Sequence, residues 1–180
     1  MALWTALRRE HLYLRHILRT LWMLRQVKAA SHRTIVDIVE GFARRTPQAP
    51  AIYYLDTVLT YAELDARANR YANWAIAQGI RAGDCVALFM ENRPDFLCCW
   101  LGLFKAGASV ALINTNQRLQ PLVHSIEISG ARHLVVGAEL AQAVTEAEGF
   151  FTQKPDVWVK SDDGGPAGNL DAALAATSQS

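Results

Sequence analysis

Phosphate binding by a backbone loop needs glycines spaced as G-x-G-x-x-G or G-x-x-x-x-G-K-[ST], so that several N–H groups converge on an anion at a helix start. Neither pattern occurs in this sequence. Its glycine cluster, Gly164, Gly165 and Gly168 in S-D-D-G-G-P-A-G-N, contains Pro166, which lacks a donor, and follows Asp162 and Asp163, which would repel phosphate. Residues 160–169 therefore read as a solvated linker. His11, His16, His32, His124 and His133 show no H-E-x-x-H or other ligand spacing, so no metal site is expected. Cys85, Cys98 and Cys99 make no C-x-x-C pair and no even-numbered disulfide framework, and read as packing thiols in a reducing compartment. A G-x-S-x-G elbow is also missing, which leaves a serine hydrolase unsupported. No residue of the segment is assigned a catalytic role.

The elements that could position a site come from charge and periodicity. Net charge over the 180 residues is only +1, yet residues 1–33 hold seven basic residues against one acid, leaving a mildly acidic body. On a helix at about 100° per residue, Leu3, Leu7, Leu14, Ile17, Leu18 and Leu21 fall on one side and Arg8, His11, Arg15 and Arg19 on the other. Arginines interrupt any signal-peptide core, and the apolar run is too short to span a bilayer. Residues 1–30 are thus expected to form a basic amphipathic helix lying in the plane of a membrane. Leu7, Leu14 and Leu18 would enter the apolar layer while Arg8, Arg15 and Arg19 meet anionic headgroups, on a cytoplasmic membrane face. A helix packed on its own or a partner domain, or a targeting presequence, would share the pattern. No nucleic-acid partner is expected, and oligomeric state is not readable.

Residues 31–180 form the second expected domain. With 51% hydrophobic residues the chain can bury a core of one domain, and disorder is excluded for its bulk. Thr34 with Asp37 and Thr60 with Glu63 are spaced as capping boxes, and Leu64, Ala68, Tyr71 and Ala75 make an apolar stripe ended by Gly79. Glu63 and Arg67 stand at ion-pair spacing. Strands are expected at 51–55, 86–90, 109–113, 133–136 and 157–159, and helices at about 94–106, 120–129 and 138–147. Strands rich in Val, Ile and Leu that alternate with helices predict a doubly wound, largely parallel α/β sheet with flanking helices. Phe96–Ile113 is nearly uncharged, but Lys105, Gly102 and Gly107 make it a buried helix and strand rather than a membrane span. Asn114, Asn116, Arg118 and His124 follow a strand's carboxyl end, where such sheets place ligands, and are the substrate-binding candidates.

Two segments carry more than composition. Leu59–Leu64 reads L-T-Y-A-E-L, followed by Asp65, Arg67, Ala68 and Asn69, and resembles the first core motif of AMP-forming adenylating enzymes. Leu103–Asn116, L-F-K-A-G-A-S-V-A-L-I-N-T-N, resembles their second core motif, and G-D-C-V-A-L-F-M-E-N-R-P-D-F between them also fits. The stretch I-N-T-N-Q-R-L with Leu122, His124 and Ser125 is similar to the branch of fatty acid transport proteins and very-long-chain acyl-CoA synthetases.

That resemblance implies an enzyme that converts a long-chain fatty acid, ATP and CoA, with Mg²⁺, to acyl-CoA, AMP and pyrophosphate, an activation that can drive fatty acid uptake. It also implies that the sequence is an N-terminal fragment of the adenylating domain. The family's Thr/Ser/Gly-rich phosphate loop, ribose acid, metal-binding Glu and C-terminal catalytic Lys have no counterparts here. The fragment alone is expected to be inactive and to bind none of these cofactors tightly. A truncated, non-catalytic module that binds a membrane or a partner is the alternative, and an unrelated nucleotide-binding enzyme is disfavoured by the missing glycine fingerprints.

Overall fold

The computed structural model describes residues 13–22, 34–161 and 168–177, and the chain divides into two units, Met1–Thr34 and Ile35–Ser180. In the first unit residues 13–22 are helical (α1), and every one of these side chains is exposed. Leu14, Ile17, Leu18 and Leu21, spaced to share one face, are among them. Leu7 and Arg8 lie outside the described residues.

The second unit begins with helix α2 (Ile35–Arg45) and an antiparallel hairpin of β1 (Pro50–Tyr54) and β2 (Thr57–Thr60). The strand expected at 51–55 is therefore a hairpin arm outside the main sheet, and its partner β2 was not anticipated. Pairing Ile52 with Leu59 sets both on the inner side, whereas Tyr53 and Val58 face outward. Helix α3 (Tyr61–Ala77) starts at the Thr60 cap. There the Thr60 hydroxyl accepts the Glu63 N–H at 3.3 Å, and Glu63 Oε2 accepts the Thr60 N–H at 2.8 Å and its hydroxyl at 2.9 Å. These bonds hold the Glu63 carboxyl below its usual range. The carboxylate is drawn back to the helix start, so the Glu63–Arg67 ion pair suggested by spacing does not form.

Next come β3 (Cys85–Phe89), α4 (Pro94–Lys105), β4 (Ser109–Leu112), α5 (Leu119–Ile128), β5 (His133–Gly137), α6 (Ala141–Ala147), β6 (Asp156–Lys160) and α7 (Asn169–Ala175). The four strands β3–β6 are parallel, in the order β4-β3-β5-β6. The order reverses at β3, so the connections wind in both directions and helices cover both faces. Alternation along the strands divides the core accordingly. Val86, Leu88 and Val135 pack with α3, α4 and α7, whereas Ala87, Phe89, Leu134 and Val136 pack with α5 and α6. At the outer edge of β6, the Asn169 side chain accepts from the Val159 N–H at 2.6 Å and donates to the Val157 carbonyl at 2.9 Å, occupying strand positions that would otherwise be open.

Helices α3 and α4 approach to backbone contact. A Cβ at Gly102 would lie 2.5 Å from the Ala68 carbonyl oxygen and closer still to Tyr71 Cβ, so no larger residue fits. Beyond α4, Gly107 takes φ +84°, and the N–H groups of Gly107 and Ala108 bond to the carbonyls of Phe104 and Leu103. This is the left-handed closure that glycine permits. Lys105, in the last turn, has more partners than a helix dipole. Its Nζ lies 2.8 Å from Glu40 Oε1 on α2, 2.7 Å from Asp65 Oδ1 and 2.6 Å from Asn69 Oδ1 on α3. Its side chain is only 10% exposed. Lys105→Ala should lower the unfolding free energy in urea by about 2–3 kcal/mol, somewhat below the usual cost of orphaning a fully buried ion because water can reach the two carboxylates. An unchanged midpoint would show that the ammonium holds nothing together.

Candidate functional site

In a doubly wound sheet the crevice opens where neighbouring connections depart in opposite directions, at the carboxyl ends of the strands. Here that point lies between β3 and β5. Beyond β3 the chain runs Met90-Glu91-Asn92-Arg93 into α4, and beyond β5 it passes through a single 3₁₀ turn, Ala138–Leu140. Glu139 joins the two loops. Its Oε1 accepts the Glu91 N–H at 2.9 Å and its Oε2 lies 3.6 Å from Arg93 Nη1. Arg93 also donates through Nη2 to the carbonyls of Lys160 and Ser161, at 3.2 and 3.3 Å, which ties the end of β6 to the same centre. A cleft of about 370 Å³ opens beside this cluster, walled by Tyr54, Leu55 and Thr57 of the hairpin and by Arg67, Glu91, Arg93 and Asp95.

A second cleft, of about 280 Å³, lies on the other side of Arg67 and Asp95, lined also by Arg70, Tyr71, Lys160 and Asp171. Lys160 Nζ sits 2.9 Å from Asp171 Oδ1 and 3.5 Å from Asp95 Oδ2, and the Tyr71 hydroxyl donates to Asp95 Oδ1 at 3.2 Å. Asp171 Oδ2 accepts the N–H groups of Ser161 at 2.8 Å and Gly168 at 2.9 Å. Burial alone would raise the Asp171 carboxyl, but the Ser161 amide, Lys160 and the Gly168 amide outweigh it and hold it at about 2. The stretch expected to be linker therefore has firmly held ends, with Lys160 and Ser161 on one side and Gly168 and Asn169 on the other. Burial, then the Asp95 charge, pushes the Tyr71 phenol well above its ordinary value, so it stays a donor. The Cys98 thiol is pushed up to about 12 by burial and Asp95, and Cys99 is raised by burial. Both are inert packing thiols; Cys85, at the start of β3, is half-buried.

The four substrate-binding candidates lie elsewhere, after β4. Asn114 Oδ1 accepts the Asn116 N–H at 2.9 Å, and Arg118 Nη1 donates to the carbonyls of Thr115 and Gln117 at 2.6 and 2.7 Å. Asn114 and Arg118 thus brace their own turn, and His124 stands exposed on α5. The acidic and basic residues at the switch point were missed because strand order is not written in the local sequence. N-R-P-D directly after one apolar strand and A-E-L directly after another are signals of loops that begin at strand ends, but only the β3–β5 pairing makes them neighbours.

The fold is a doubly wound α/β domain with a polar cluster at its switch point, and the chain belongs to the AMP-binding enzyme family, whose model matches residues 39–177. It is 41% identical over 163 residues to long-chain fatty acid transport protein 1 of Bos taurus, covering 89% of this chain and 25% of that protein. Over 129 residues it is 41% identical to long-chain fatty acid transport protein 2 of Rattus norvegicus, covering 69% of this chain and 21% of the relative. The chain therefore spans about a quarter of the length of these curated relatives. Among solved structures, the N-terminal domain of FACL13 from Mycobacterium tuberculosis superposes with a TM-score of 0.69 at 28% identity, over 82% of this chain and 37% of that one. The anthranilate CoA ligase AuaEII, in complex with anthranoyl-AMP, superposes with a TM-score of 0.73 at 22% identity, over 81% of this chain and 28% of that one, a likeness of fold.

The depressed Asp171 carboxyl makes a pH prediction. Because its folded value lies below its ordinary value of 3.8, its stabilising contribution is complete above that value and is lost as pH falls through about 2. Asp171→Asn should cost on the order of 1–2 kcal/mol at neutral pH, allowing for partial solvent screening, and the gap from the parent should close on acidification below pH about 4. Urea titrations of both proteins between neutral and acid pH would measure it, and a pH-independent gap would refute the linkage.

Proposed function

We propose that this chain is the N-terminal part of the adenylating domain of a membrane-associated long-chain or very-long-chain fatty acyl-CoA synthetase that couples activation to fatty acid uptake. The observation that carries the reading is the close similarity to long-chain fatty acid transport protein 1 across almost the whole chain, within a family of AMP-binding enzymes. In the complete enzyme, fatty acid and ATP would give acyl-adenylate and pyrophosphate, and CoA would then take the acyl group as a thioester.

These residues supply framework to that reaction. The acids at the switch point do not fit a Mg²⁺–triphosphate site, since Glu139 is engaged by the Glu91 amide and Arg93, Asp95 by Tyr71 and Lys160, and Asp171 by Lys160 and two amides. Among the described residues no three His, Cys, Asp or Glu side chains gather as a metal group. In this reading ATP, Mg²⁺ and CoA are held by parts of a longer protein. Asn114, Asn116, Arg118 and His124 remain candidates to border the fatty acid there. Purified alone, the 180-residue chain should show no ATP–pyrophosphate exchange with fatty acid above a no-protein control, because the transition-state charge has no preorganised partner. Exchange above that control would overturn the framework role.

The membrane contact falls to residues 1–30 in this proposal, supported by the exposed leucine face of α1 and by the positive charge of the segment. No helix among the described residues is long and apolar enough to cross a membrane, and the contact proposed is in-plane. Leu14→Asp should weaken cosedimentation with anionic and neutral vesicles alike, because it removes insertion. Replacing Arg8, Arg15 and Arg19 with Gln should weaken binding to anionic vesicles only and flatten its salt dependence, exposed charges being screened beyond a Debye length of about 8 Å. If the intact chain stays in the supernatant with anionic vesicles at low salt, the in-plane anchor is excluded.

A further inference from the structure

Two guanidinium groups line the smaller cleft without a carboxylate in ion-pair contact. Arg67 and Arg70 are one turn apart on α3, both half-buried, and line the cleft together. Among the described residues no carboxylate lies within ion-pair distance of either. The carboxylates sharing the cleft are already committed: Asp95 to the Tyr71 hydroxyl and Lys160, Asp171 to Lys160 and two backbone amides. Glu63, on the first turn of α3, is bound to Thr60 and interacts with the Arg67 charge only at longer range than an ion pair. Arg70 Nε is buried with no hydrogen-bond partner, an expensive state for a charged donor. Two like charges one turn apart on α3 are expected to repel one another, which an incoming oxyanion would relieve.

We propose that Arg67 and Arg70 form a binding site for a dianionic phosphoryl group. Guanidinium forks match tetrahedral phosphate oxygens bidentately, and two forks suit a dianion better than a single carboxylate. The size agrees with a small ligand: about 280 Å³, close to the lower end of the roughly 300–1,000 Å³ of sites that enclose drug-sized molecules, is room enough for a phosphate ion or a phosphomonoester head. Lys160 and the Tyr71–Asp95 pair line the rest of the cleft. This site adjoins the β3–β5 cleft, with Arg67 and Asp95 as the common wall, and it does not depend on the acyl-transfer assignment.

The test uses the intact 180-residue chain with inorganic phosphate as probe, and sodium chloride of equal ionic strength as control. Phosphate should raise the melting temperature and move the Ser161 and Gly168 amide resonances saturably, whereas chloride should do neither. Arg67→Gln and Arg70→Gln should each weaken phosphate binding about tenfold, and the double variant should abolish it, while Lys at either position should retain part of the affinity. Without phosphate the Gln variants should be as stable as the parent or more so, because a repulsive pair has been relieved; residues that served only in packing would lose stability instead. Short-chain phosphatidic acid below its micelle concentration separates the sources. Competition with phosphate at the same resonances, with tighter binding, identifies a lipid headgroup, and weaker binding than the free ion identifies a soluble phosphate. The proposal is overturned if phosphate acts no differently from chloride, if its effect survives in the double variant, or if the Gln variants are destabilised without phosphate.

Discussion

One ammonium group organises the helical layer that carries both clefts. Lys105 satisfies its three protons on Glu40, Asp65 and Asn69, so α2, α3 and the end of α4 meet at a single point. The ammonium itself is largely shielded from water, so each of those bonds is stronger than a surface pair, although its two carboxylates remain within reach of solvent. The bare backbone of Gly102 then lets α3 and α4 close on one another a turn away. Arg67 and Arg70 on α3 and Asp95 at the start of α4 inherit their positions from this contact. The register of two helices, set by one lysine and one glycine, thus decides where the polar groups stand.

The carboxyl ends of the sheet show how such groups are kept in place. Arg93 reads a side chain on one loop and two carbonyls on another, so β3, β5 and β6 are joined beyond their last ladder bonds by a single guanidinium. Glu139 and Asp171 each accept backbone N–H groups as well as a cation, so neither acid is free to leave. The resulting network is structural in its acids. A chain of the AMP-binding family thus carries a switch point whose acids are held by amides and cations.

Charge divides the molecule along its length. The first 33 residues hold seven basic residues against one acid, while the rest of the chain carries a net acidic excess. Under the proposed membrane role, the exposed leucines and arginines of the first segment would meet a surface while the body keeps its apolar groups covered, the two requirements falling in different stretches of the sequence.

Local chemistry was legible in the sequence by itself. The Thr60–Glu63 cap, the glycine closures at Gly79 and Gly107, the parallel strands rich in Val, Ile and Leu and the burial of Cys98 and Cys99 depend on neighbours within a few residues, or on a hydrophobic period that any reading frame of the fold must respect. Family membership was legible for the same reason, since its motifs are contiguous. The hairpin partner β2 was missed because a four-residue strand has too few residues to show a period. Lys105 was visible as a helix-end cation, but its acceptors are 65, 40 and 36 residues away. The pairing of Arg93 with Glu139, and of Lys160 with Asp95 and Asp171, was likewise settled only by strand order, because parallel strands joined by helices bring together loops that have no proximity in sequence.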